Sequence, residues 1–155
     1  MTNLADLLKI KREAEEFLST IVRAKPEDLV RALRPRHEDY ARVFVASAVD
    51  KAQLGFGQLW NAPPKSLGKS HQTEVHVAGV ANASALIDEN DLSKGFPGGY
   101  QKIAHLLQPD VVWVSFKLVA PGESAGMAHD GLVKLDDRWA WFPKPWRVLG
   151  EDTIN

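Results

Sequence analysis

The amino-acid sequence predicts an α+β domain in which helices pack on one face of an antiparallel sheet. Apolar residues recur every three or four positions through much of the first 60 residues, whereas apolar and polar residues alternate in several later segments. Helices that precede an antiparallel meander commonly pack on it around one core. The length of 155 residues suits one domain, so we expect residues 1–155 to form a single α+β domain.

Three helices are expected before residue 45. The apolar stripe of residues 4–21 predicts a long helix, and the side chain of Asn3 is suited to cap its first turn. Proline fits the first turn of a helix, so shorter helices are expected from Pro26 to about Leu33 and over residues 35–44.

A fourth helix and a less regular stretch follow. Ser47 and Asp50 form a pattern close to a capping box, which predicts a helix that ends at about Asn61, before two prolines. Residues 82–99 are rich in glycine, asparagine and acidic residues and predict a long loop. The apolar spacing within residues 100–107 predicts one more short helix.

Four strands are expected, three of them in a C-terminal meander. Asp136 and Asp137 separate two alternating segments, so they predict a two-residue hairpin connection. Pro143 and Pro145 stop the last strand from being extended, because proline cannot donate to a strand ladder. The expected strands cover residues 73–80, 111–119, 127–135 and 138–142.

Composition excludes several classes of function. Nineteen Lys and Arg residues against twenty Asp and Glu residues leave a net charge of −1, which predicts neither a nucleic-acid partner nor attraction to an anionic membrane. The absence of cysteine excludes disulfides, thiolate metal sites and a cysteine nucleophile. No apolar run approaches the length of a membrane span, and residues 1–10 do not resemble a signal peptide. We therefore expect a cytoplasmic protein that does not associate with membranes.

His129 and Asp130 are the candidate catalytic residues, with Tyr100 as a hydrogen-bond donor. An imidazole or a carboxylate can act as a general base. Adjacent side chains of a regular strand point to opposite faces, so the two residues cannot form a dyad, and one is expected to face a pocket and the other solvent. Alternatively, Asp130 and Gly131 mark a β-bulge.

Tryptophans are the candidate ligand-binding residues. Trp139 and Trp141 share one face of the last expected strand, and Trp113 lies in the clearest strand. Aromatic side chains in these positions can line a pocket, fill the core or form an exposed surface for a partner or a second copy of the chain.

No cofactor or metal is expected. Glu74 and His76 share one face of a strand and His71 is nearby, but a zinc site needs three or four ligands in a defined shell. The spacing places only two of these residues together.

The order of elements and the aromatic closing hairpin, GLVKLDDRWAWF, resemble the NTF2-like superfamily, which includes the SnoaL-like proteins. The resemblance implies a cone in which a curved sheet wraps the long helix and leaves a pocket at the open end. It also implies a range of activities, since members include isomerases, dehydratases and non-enzymatic binding domains.

Three functions are consistent with these observations. The first is a pocket that binds a small apolar molecule, lined by Trp113, Trp139 and Trp141. The second is a proton-transfer enzyme, of isomerase or dehydratase type, that uses His129 or Asp130. The third is a protein-interaction or homodimerisation module that uses the face of the sheet.

Overall fold

The computed structural model describes residues 3–150 and shows an α+β fold. Its four strands form one antiparallel sheet in the order β1-β2-β3-β4. In chain order the helices and strands are α1 (Leu4–Ile21), α2 (Pro26–Leu33), α3 (Asp39–Val43), α4 (Val49–Asn61), β1 (Glu74–Asn82), α5 (Gly99–Ile103), β2 (Val112–Val119), β3 (Gly126–Lys134), β4 (Trp139–Trp141) and α6 (Pro145–Leu149).

The two N-terminal helices have the predicted bounds. The side chain of Asn3 accepts a hydrogen bond from the backbone N–H of Asp6 (N···Oδ1 2.9 Å), and Asp6 accepts one from the backbone of Asn3. This reciprocal pair satisfies two N–H groups that the first turn of α1 would otherwise leave unpaired. Pro26 occupies the first turn of α2, as expected.

The third predicted helix is shorter than expected and begins at Asp39 rather than Pro35. The carboxylate of Asp39 accepts a hydrogen bond from the backbone N–H of Arg36 (2.7 Å) and pairs with the guanidinium of Arg138 (Nη1···Oδ2 2.8 Å). These contacts hold the preceding residues in a turn. The pairing joins residues 99 positions apart in sequence, so local propensity could not predict it.

The predicted cap at Ser47 is also wrong, although α4 itself is confirmed. A 3-10 turn over Ala46–Ala48 leads directly into α4, and no side chain caps its first residue. A capping side chain requires extended backbone at the cap position, whereas Ala48 already has right-handed helical angles.

The sheet is bent by a β-bulge on each side of Ser115. Val77 pairs with Phe116 and Gly79 pairs with Ser115, which leaves an extra residue on β1. On the other side, Asp130 and Gly131 of β3 both lie opposite Ser115. The predicted bulge at Asp130 and Gly131 is therefore confirmed, and two bulges at one level add twist and curvature to the sheet.

Both faces of the sheet are covered, and on β2 the side chains of both faces are buried. Phe17 of α1 stacks on Trp139 at one face, with ring centroids 5.6 Å apart. At the other face Trp113 makes edge contacts with Phe44 (6.3 Å) and Tyr100 (5.7 Å). The helices thus cover more of the sheet than the single face that the sequence predicts.

Candidate functional site

A pocket of about 350 Å³ lies between α4, β3 and α6. Its volume is near the lower end of the roughly 300–1,000 Å³ that is usual for small-molecule sites. Most of its walls are apolar, and two acid–base residues and two cations complete them. The lining residues are Gly55, Phe56, Leu59, Ala128, His129, Asp130, Trp141, Pro143, Lys144, Arg147 and Val148.

This pocket does not lie between the long helix and the sheet, where the sequence analysis expects a hollow. None of its lining residues belongs to α1. Between α1 and β1 there is a groove of only about 150 Å³, lined mainly by aliphatic side chains such as Leu7 and Val80. The packing of α1 on β1 fills most of the expected space, and the larger apolar pocket forms among α4, β3 and α6 instead.

Asp130 is a carboxylate with a fixed orientation at the wall of the pocket. Only 5% of its surface is exposed. Its Oδ1 atom accepts hydrogen bonds from the Tyr100 hydroxyl (2.7 Å) and from the backbone N–H of Lys144 (2.8 Å). Its backbone carbonyl accepts a third from Nε1 of Trp141 (2.7 Å). Its Oδ2 accepts no hydrogen bond from any other residue in 3–150.

Tyr100 positions Asp130 rather than lining the pocket. Its side chain is buried, and its ring packs between Phe96, Trp113 and Trp146. Burial, reinforced by the adjacent Asp130 carboxylate, raises the pKa of the Tyr100 hydroxyl well above 10.0. The hydroxyl therefore stays protonated and donates to Asp130.

His129 lies beside Asp130 with its ring held between two aromatic side chains. The imidazole centroid is 5.3 Å from that of Phe116 and 5.8 Å from that of Trp141. Nε2 is hydrogen-bonded to the backbone carbonyl of Leu67, which only accepts, so Nε2 is the protonated nitrogen and Nδ1 is the acceptor. Burial lowers the pKa of His129 from 6.5, although the Leu67 carbonyl and Asp130 oppose that shift.

The two candidate acid–base residues line the same pocket without bonding to each other. The expectation that one of them faces solvent is wrong, because the bulge interrupts the alternation of β3 at this point. The expectation that they form no dyad agrees with the structure, in which His129 and Asp130 have separate hydrogen-bond partners.

Lys144 and Arg147 are pocket residues that the sequence analysis missed. Lys144 has left-handed backbone angles (φ 50°, ψ 57°), which are uncommon for a residue with a side chain. Prolines precede and follow it, and its backbone N–H is held by Asp130. The available signal is the pair Pro143 and Pro145, which the sequence analysis interprets only as the end of the last strand.

The three predicted ligand-binding tryptophans have different environments. Trp141 lines the pocket and makes an edge contact with Trp60 of α4. Trp113 has no exposed surface and lines none of the described pockets. Trp139 lies away from this pocket, where the ammonium of Lys134 is 4.9 Å from its ring centroid. With exposures of 7% and 6%, Trp139 and Trp141 do not form an exposed aromatic patch for a dimer.

Among residues 3–150 no group of three or more His, Cys, Asp and Glu side chains is close enough to hold a metal ion. Glu74 and His76 do approach each other on β1, with Oε1 and Nε2 3.4 Å apart. Over the same residues, no helix is both long enough and apolar enough to cross a bilayer.

Comparisons of the chain with protein-family models, curated protein sequences and solved structures find no match. The NTF2-like assignment and its cone therefore stay predictions, as do the homodimer and the cytoplasmic location.

Proposed function

We propose that this protein binds a small, mostly apolar molecule in the pocket between α4, β3 and α6. The observation that carries the proposal is an apolar pocket with one oriented carboxylate in its wall. Ligand sites combine these features, because apolar walls supply affinity and a few polar groups fix orientation. Phe56, Leu59 and Trp141 would contact the apolar body of the ligand.

The polar groups of the pocket indicate how such a ligand would be oriented. Asp130 has one oxygen engaged by Tyr100 and Lys144, so a hydroxyl or amine of the ligand would donate to the other. Neutral His129 offers Nδ1 as an acceptor. A ligand with a hydrogen-bond donor at one end of an apolar body would contact the apolar walls and donate a hydrogen bond to the Asp130 carboxylate.

A neutral apolar dye tests the proposal. N-phenyl-naphthylamine fluoresces in apolar surroundings, and we expect it to bind the native protein. Ala128 is exposed at the rim of the pocket, so Ala128→Trp should obstruct the pocket. Dye binding should weaken by roughly tenfold or more, because the dye would then bury less of its apolar surface.

Ala125→Trp is the matched control, because Ala125 is exposed in the loop before β3 and lines none of the described pockets. It should bind the dye as the native protein does, with both variants retaining native circular dichroism. Equal binding by the two variants, or no binding by the native protein, would overturn the proposal.

Proton transfer is the second candidate function, and the environment of Asp130 favours it. A carboxylate with one oxygen held by Tyr100 and Lys144 can present its other oxygen to a C–H bond of a bound molecule as a general base. Deuterium incorporation from heavy water into an added carbonyl compound, lost in Asp130→Asn, would distinguish this enzyme from a binding protein.

A further inference from the structure

We infer that the ligand of this pocket is an amphipathic anion, whose acidic group binds Lys144 and Arg147 at the rim while its apolar body enters the pocket. This inference rests on the proposed function and adds the charge of the ligand to it. It follows from how charge is distributed around the pocket.

The two cations are placed together at the rim. Lys144 and Arg147 are exposed and three residues apart, and both line the pocket. The left-handed backbone of Lys144, fixed by its N–H bond to Asp130 and by flanking prolines, determines where its side chain leaves the chain. Little conformational freedom of the backbone would therefore be lost when this cation binds a ligand.

Neither cation is neutralised by a neighbour within residues 3–150. No carboxylate there lies within 4.0 Å of the charged nitrogens of Lys144 or Arg147. Arg42 and Arg138, by contrast, each bind an aspartate through both terminal guanidinium nitrogens, Nη1 and Nη2. Among the described residues, the charge at the rim is therefore not used in an ion pair of the fold.

The negative charge of the pocket lies elsewhere and is partly compensated. Asp130 is buried, and its Oδ1 takes hydrogen bonds from the Tyr100 hydroxyl and the Lys144 backbone. With His129 neutral, two cations and one compensated anion leave the lining with a net positive charge. A monoanion with its charge at the rim and its apolar part inside matches both features.

Two dyes that differ in one sulfonate test the inference. Anilinonaphthalene sulfonate carries the same N-phenyl-naphthylamine body as the neutral dye and adds one negative charge. In the double variant Lys144→Asn and Arg147→Gln we expect affinity for the sulfonate dye to fall about tenfold, whereas affinity for the neutral dye stays unchanged. Asparagine is chosen at position 144 because it tolerates left-handed angles.

Salt and a matched variant supply controls. Raising the ionic strength should weaken binding of the sulfonate dye and leave the neutral dye unaffected, because salt screens exposed charges. Arg12→Gln removes an exposed arginine on α1 that lines none of the described pockets, and should change neither affinity.

The outcomes separate this inference from the proposed function. If the neutral dye fails to bind, or Ala128→Trp does not affect it, the proposed function fails. If the neutral dye binds in the pocket but the double variant binds the sulfonate dye as tightly as the native protein does, only the charge inference fails.

A fall for both dyes would mean that the variant disturbs the pocket. Arg147→Gln alone then decides, since it leaves the Lys144 segment intact. A loss of about threefold for the sulfonate dye alone supports the inference, and no loss overturns it.

Discussion

Asp130 shows how one side chain links the fold to the candidate site. A carboxylate that is almost removed from water is costly unless hydrogen bonds compensate the lost solvation. Tyr100 and Lys144 provide that compensation at one oxygen. The same bonds orient the carboxylate and hold the Pro-Lys-Pro segment against β3. The contacts that compensate the burial of Asp130 therefore also fix its position in the candidate site.

Removal of the Tyr100 hydroxyl should therefore destabilise the protein by more than its size suggests. Tyr100→Phe leaves Asp130 Oδ1 with only the Lys144 N–H as a donor, and we expect the free energy of unfolding to fall by about 1.5–3 kcal/mol, as for bonds to charged groups. Urea denaturation followed by circular dichroism measures this loss.

Tyr40→Phe is the matched control, because the Tyr40 side chain is also buried but its hydroxyl bonds to no other residue in the described range. It should change stability by less than about 0.5 kcal/mol. Equal effects of the two substitutions would mean that the bond from Tyr100 to Asp130 contributes little.

At the scale of residues, the sequence identified candidate groups but not their relations. The chemistry of their side chains makes His129, Asp130 and Tyr100 candidates, and the glycine at position 131 is consistent with a bulge. The bond between Tyr100 and Asp130 joins positions 30 residues apart, and the burial of each depends on elements far away in sequence. No periodicity encodes such a pairing, so only the fold could show it.

Among the elements, β3 is notable because its bulge requires a glycine at position 131. Gly131 has a φ of +87°, and a Cβ atom at this position would lie 2.2 Å from the carbonyl oxygen of Phe142. The chain comes this close because the backbone N–H of Phe142 donates to the Gly131 carbonyl (2.7 Å). The bulge therefore needs both the left-handed conformation and the absence of a side chain.

Gly131→Ala should be strongly destabilising. Left-handed angles alone cost about 1–2 kcal/mol for a residue with a Cβ atom, and the overlap with the Phe142 carbonyl adds to this cost. We expect a loss of more than about 2 kcal/mol and weaker dye binding, because the bulge positions Asp130.

The same substitution at Gly57 should have the opposite effect. Gly57 lies within α4, and a Cβ atom added there would meet no other atom within 4 Å. The free energy of unfolding should rise by about 0.5–1 kcal/mol, because alanine has a higher helix propensity than glycine. Thermal unfolding of both variants checks the pair. A stable Gly131→Ala variant would show that the bulge can rearrange.

Local signals predicted the elements well where no distant contact competes with them. The cap at Asn3 and the proline at position 26 set the starts of α1 and α2. The hairpin at Asp136 and Asp137 closes with a bond from Leu135 to Arg138, as its two-residue length predicts. The predicted start of α3 is wrong because the turn before it is held in part by the bond from the distant Arg138 to Asp39.

At the scale of the molecule, the pocket is the product of three elements that meet only in the folded chain. Gly55 of α4 lets Val148 of α6 approach closely, since a Cβ on this glycine would lie 2.5 Å from the valine side chain. The bulge of β3 supplies the third wall. The sequence predicts a pocket between α1 and the sheet, whereas the observed pocket lies among α4, β3 and α6, because its position depends on these long-range contacts.

Because both tyrosines are buried, the free energy of unfolding of the whole molecule should fall at alkaline pH. The chain has two tyrosines. Burial is the main cause that raises the pKa of each, and the shift at Tyr100 is the larger. In the unfolded chain both ionise near pH 10.0. Above that pH the unfolded state releases protons that the native state keeps, so stability should fall as the pH rises, by up to about 1.4 kcal/mol per pH unit for each tyrosine.

Tyr40→Phe isolates the titration of Tyr100, because it leaves one tyrosine in the chain. We expect no ultraviolet absorbance from tyrosinate while the circular dichroism is native, and a single alkaline transition in which ionisation and unfolding coincide. In Tyr100→Phe, the remaining Tyr40 should ionise at a pH above 10.0. If Tyr100 ionised near pH 10 in a protein that was still folded, its hydroxyl would be accessible to water, and the buried bond that orients Asp130 would not exist in solution.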